Sequence, residues 1–118
     1  MISLEETALL IKKLIEEQTP VLGYLATVDG SNGKLSGCVD SCTPDGGVVV
    51  VGKKGEHGSM SANLCLFFGA SDNLEAWFGT AQELPEQARD AASTRWGNTV
   101  LTLRARSTRS RLVLFFNS

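Results

Sequence analysis

The side chains best placed to do chemistry fall into two groups. One is the segment Gly52-Lys53-Lys54-Gly55-Glu56-His57-Gly58, and the other is Arg104, Arg106, Arg109 and Arg111 near the C-terminal end. His57 is the sole histidine, and it stands between two glycines and close to two lysines. The run Val48 to Val51 before it suits a packed strand. Gly52, Gly55 and Gly58 let the backbone turn and approach a ligand closely. The segment therefore reads as a strand, a glycine-rich bend and the mouth of a helix. Lys53, Lys54, Gly55, His57 and Gly58 are its candidate binding residues. Such a bend can cradle a phosphate on backbone donors at a helix start, or it can be a plain turn whose lysines face water.

Arg104 and Arg106 are two residues apart in a predicted strand and so share a face. Arg109 and Arg111 do the same on the return strand, and a tight turn would bring all four to one side. Guanidinium groups pair bidentately with carboxylate or phosphate, so this hairpin is a candidate contact for an acidic protein or an anion. Two other readings stay open. The charges can simply keep a strand face solvated and discourage edge aggregation, or they can pair with the acids between Asp72 and Asp90. No aromatic residue alternates with these arginines as a stacking platform, which disfavours nucleic acid.

Other chemistries find less support. Cys38, Cys42, His57 and Cys65 do not have the tight spacing of a zinc site. Cys38 and Cys42 would lie about 13 Å apart on one strand face, too far to chelate one ion without a bend. A hydrolase would need a nucleophile, a base and an orienting group, and there is no Gly-x-Ser-x-Gly elbow. No acid sits in an obviously apolar setting, and the glycines fit neither a Walker loop nor a dinucleotide fingerprint. No catalytic residue, metal or cofactor is expected from these patterns.

The chain has 118 residues, is 42% hydrophobic and 20% charged, and carries a formal net charge of -2. That is one domain, 1–118, able to build a core and not marked for nucleic acid. Charge is unevenly spread: five acids and one arginine between Asp72 and Asp90, then five arginines and no acid from Thr94 onward. No stretch approaches the ~20 apolar residues of a membrane span, and the first residues lack the features of a signal peptide. The cysteines number three, which forbids a complete set of internal disulfides. A reduced, cytoplasmic protein is expected.

The elements that must position these groups begin with a helix over 3–18. Ser3 and Glu6 form a capping box, Leu4, Ala8, Ile11, Leu14 and Ile15 recur at helical spacing, and Thr19-Pro20 ends it. Strands follow over 21–28, 34–42 and 48–53, joined by the turn formers 29–33 and 43–47. Met60, Leu64, Phe67, Phe68, Leu74, Trp77 and Phe78 lie roughly on one face of a helical middle, with a break at Gly69 and a new start at Asp72 and Glu75. Residues 85–93 suit a short helix. A last hairpin spans 99–106 and 109–116. Phe115 and Phe116 are adjacent and must point to opposite faces, so either both faces are covered or one meets a partner; the second predicts a homodimer.

The pattern predicts an α/β (α+β) domain: a largely antiparallel sheet of about five strands with helices packed on it in two or three layers. The stretch 52–58, followed by a helix containing Cys65, resembles the last strand-to-helix segment of animal profilins. That resemblance implies an actin-type contact on Lys53, Lys54 and His57. The order of elements, with Val21 to Gly30 after a first helix and a long helix over 62–70, also resembles the roadblock and longin group of small α/β modules. This implies a dimeric platform for small GTPases. Two functions from different classes follow as expectations. The first is a non-enzymatic, homodimeric protein-interaction module. The alternative is a protein binding a small ligand or a flavin phosphate at the Gly52–Gly58 bend, which could be an enzyme.

Overall fold

The structure, a computed structural model, describes residues 1–30, 32–52, 63–80 and 98–117. Helix α1 spans Leu4–Glu16. The Ser3 half of the expected capping box fixes its start: the Glu6 N–H donates to Ser3 Oγ at 3.1 Å, and the Thr7 hydroxyl donates to the Ser3 carbonyl at 2.8 Å. Thr7, Ile11 and Leu14 are the buried stripe, whereas Leu4 is 43% exposed. The apolar face is thus rotated from the expected one. Lys12 and Glu16 pair at 3.8 Å on the solvent side.

The helix closes in a Schellman arrangement. The Gln18 N–H donates to the Ile15 carbonyl and the Thr19 N–H to the Leu14 carbonyl, each at 3.2 Å. Gln18 takes the left-handed conformation (φ 49°) that glycine usually fills there. For an L-residue this costs roughly 1–2 kcal/mol.

Among the described residues seven strands form one antiparallel sheet: β1 (Val21–Ala26), β2 (Asn32–Thr43), β3 (Gly47–Gly52), β4 (Asn63–Phe67), β5 (Leu74–Thr80), β6 (Thr99–Ala105) and β7 (Arg111–Phe116). Their order is β4-β3-β2-β1-β7-β6-β5. The α+β class therefore holds, but with more strands and, among the described residues, a single α-helix. The meander of the first three strands and the last hairpin are where the sequence puts them. At the second turn Gly46 takes φ 78°, and its carbonyl accepts from the Phe68 and Gly69 N–H groups at 2.7 and 3.1 Å. This ties the β2–β3 turn to the end of β4.

The middle of the chain departs from expectation. Residues 63–67 and 74–80 are strands, not helices, and Asp72 lies in a 3-10 turn, Ser71–Asn73, that no side chain caps. The reason is tertiary. Leu64 and Leu66 alternate on one face, opposite Val50 and Val48 of β3, and Trp77 and Phe78 fit an extended strand. Cys65 accordingly sits in a strand, unlike the helix that the profilin resemblance implies, and the long helix of the roadblock pattern is absent over 63–70. The predicted helix over 85–93 lies outside the described residues.

Helix α1 touches both β2 and β5, and β4 touches β1, β6 and β7, although none of these pairs is adjacent in the sheet. The sheet is therefore curled over on itself, with α1 lying across the gap. The inner face holds the main core, including Ile11, Leu14, Val48, Val50, Leu101, Leu112 and Phe116. Leu22, Val100, Val113 and Phe115 form a second buried cluster, on the opposite face. Phe115 and Phe116 are thus both covered, 1% and 5% exposed, and β7 lies between β1 and β6. The exposed C-terminal edge from which the homodimer was expected does not exist. Each buried aliphatic or aromatic side chain contributes roughly 1.5–3 kcal/mol, so β7, buried continuously from Leu112 to Phe116, is the strand the fold can least lose.

Candidate functional site

Strand β3 delivers the chain to Gly52. Lys53, Lys54, Gly55, His57 and Gly58, the candidate residues of the bend, lie outside the described residues. The arginine hairpin is described in full. The register sets Arg104 directly across from Arg111, and Glu75 of β5 directly across from Arg104. Side chains of Glu75, Arg104 and Arg111 therefore share one face of the sheet.

Glu75 gathers two of the arginines. Arg104 Nη2 and Nε donate to Glu75 Oε1 at 2.8 and 3.1 Å, and Arg106 Nε lies 3.8 Å from the same oxygen. The Glu75 side chain is 12% exposed, against 38% for Arg104 and 62% for Arg106. Arg104 also stacks over the Trp77 ring, 5.3 Å from its centroid, which adds a cation–π attraction. Arg109 and Arg111 are exposed, and among the described residues neither has an ion-pair partner.

The turn that carries Arg106 and Arg109 is held by Asn73. Asn73 Nδ2 donates to the Phe68 carbonyl at 2.6 Å and to Ser107 Oγ at 2.9 Å. The Ser107 N–H donates to Asn73 Oδ1 at 2.8 Å, and the Arg106 N–H to the Asn73 carbonyl at 2.8 Å. Arg109 is itself left-handed (φ 58°), and its N–H donates to the Ala105 carbonyl at 2.7 Å. The four arginines are therefore not equivalent. Arg104 is locked, Arg106 is half engaged, and Arg109 and Arg111 are exposed and unpaired among the described residues. Sequence reading missed Asn73 and Trp77 here. It placed Trp77 at the close of a helix, and a lone asparagine carries no signal for such a clasp.

A second feature is a cleft of about 510 Å³ between the end of α1 and the β2–β3 pair. Cys38 lines it, and its thiol donates to the Gln18 carbonyl at 3.5 Å. Partial burial pushes the thiols of Cys42 and Cys65 up, which keeps them protonated and weakly nucleophilic near neutral pH. Among the described residues no cluster of three or more His, Cys, Asp or Glu could hold a metal ion. No helix among them is long and apolar enough to cross a membrane.

No family model, no curated protein and no solved structure matches this chain. Function has to be argued from the residues themselves.

Proposed function

We propose that this chain is a non-enzymatic interaction module, and that it binds an acidic protein segment through the arginine-bearing end of the β6–β7 hairpin. The observation that carries this reading is the direct opposition of Arg104 and Arg111. Like charges facing each other across strands are destabilising. Glu75 relieves that repulsion only on the Arg104 side, leaving Arg111 exposed beside Arg109 and Arg106. A local rule broken without compensation among the described residues is characteristic of functional surface. A carboxylate from a partner completes the arrangement, and a guanidinium fork is suited to grip it. A second copy of the chain is the other partner in this reading, through the sheet edges at β4 and β5.

The test is fluorescence anisotropy with a labelled peptide of alternating Asp and Glu, set against its Asn and Gln counterpart. The acidic peptide is expected to bind and the neutral one not to. Arg111→Gln should weaken binding about tenfold, a change of about 1.4 kcal/mol. The effect should shrink as salt rises, since screening shortens the reach of exposed charges. Equal binding of the two peptides, or indifference to Arg111→Gln, would sink the proposal.

A further inference from the structure

We infer that the cleft between α1 and the β2–β3 pair is a binding site for a small organic cation with an apolar body. Its volume of about 510 Å³ falls within the ~300–1,000 Å³ usual for small-molecule sites. Gly37 and Gly52, paired across β2 and β3, both line it. Ile15, Pro20 and Val51 supply aliphatic surface around it.

The polar side of the cleft is negative in character. Asp40 is the one charged side chain among its described lining residues, and it sits at the irregularity between Val39 and Ser41. The C-terminal end of α1, the negative pole of the helix dipole, reaches the cleft through Ile15 and Gln18. Gln18 occupies the left-handed position where glycine or asparagine is preferred. The Asp40 carboxylate and the negative helix end attract an ammonium group, and the aliphatic lining suits an apolar body. Lys53 and Lys54 follow Gly52 in the sequence, so an anionic ligand is the competing outcome that the test must separate.

Three probes of one shape decide this: naphthylmethylammonium, naphthylmethanol and naphthoate, titrated into the full chain and followed by amide chemical shifts. The ammonium probe is expected to bind about tenfold tighter than the alcohol, with shifts centred on Gln18, Cys38 and Asp40, and naphthoate is expected not to bind. Asp40→Asn should erase the preference for ammonium over alcohol while leaving the thermal midpoint in place. Ser36→Trp, a change at an exposed cleft position, should block both probes and serves if Asp40→Asn does not fold. Naphthoate binding as tightly as the ammonium probe would overturn the inference. So would a preference untouched by Asp40→Asn, or binding unaffected by Ser36→Trp. Binding of the acidic peptide to the β6–β7 hairpin is a separate measurement, so either result can fail alone.

Discussion

Arg104 and Arg111 share a face and a register, yet they have opposite fates because β5 brings a carboxylate to only one of them. Residue spacing alone shows that Arg104 and Arg106 lie on one side of a strand. It cannot show that Glu75, in a segment that reads as helix, is the nearest strand neighbour. Among the described residues Glu75 engages Arg104 and Arg106, so the pairing reading holds for that part of the hairpin, and the partner proposal concerns Arg109 and Arg111. Replacing Glu75 with Gln separates them. The two Arg104 donors converge on the one oxygen Glu75 Oε1 in charge-assisted bonds, but Arg104 is more than a third exposed, so screening reduces their worth to about 1 kcal/mol. Glu75→Gln is therefore expected to lower the denaturant midpoint slightly while strengthening binding of the acidic peptide, because a competing carboxylate is gone. Weaker peptide binding by a folded Glu75→Gln variant would show that Glu75 orients the arginines for the partner.

At the level of elements, the sequence was most legible where local chemistry is strong. The Ser3–Glu6 cap, the Pro44-Asp45-Gly46 turn and the alternation of the last hairpin each name their structure through a mechanism. The stretch 63–78 was not legible, because short apolar runs satisfy helical and extended spacing alike. There the choice was made by strand partners that the local pattern does not reveal: β3 for 63–67 and β6 for 74–78. The cleft was invisible for a related reason. Its walls come from the end of α1, from β2 and from β3, segments that only the tertiary fold brings together. Gly37 also has a packing role that can be tested. A Cβ built there would stand 1.9 Å from the Val51 carbonyl oxygen, and that backbone is fixed by the β2–β3 ladder. Gly37→Ala is expected to destabilise by about 1–3 kcal/mol, as overpacking does, read as a lower urea midpoint at unchanged slope. An unchanged midpoint would mean that β2 and β3 separate there at little cost.

For the molecule as a whole, the self-association expected from the C-terminal phenylalanines has to rest on other ground. The sheet ends in β4 and β5, which carry Phe67 and Phe78 at 59% and 44% exposure. On β5 the Ile2 N–H already donates to the Ala76 carbonyl at 2.9 Å, but exposed aromatics on the end strands still invite pairing, and a two-fold arrangement would bury them. Light scattering is expected to give twice the 12.6 kDa chain mass, and Phe67→Lys to restore the monomer. A monomer mass for the unaltered chain would remove homodimerisation from the proposed function. One further consequence lies in the sheet order. β1 is held between β2 and β7, so Leu22 pairs with Phe115 across nearly the full length of the polypeptide. During synthesis the meander of β1 to β4 can assemble early, but β1 keeps a bare edge until β7 has left the ribosome. Ring closure between such distant segments is slow, and the nascent meander is the species a chaperone would have to shield.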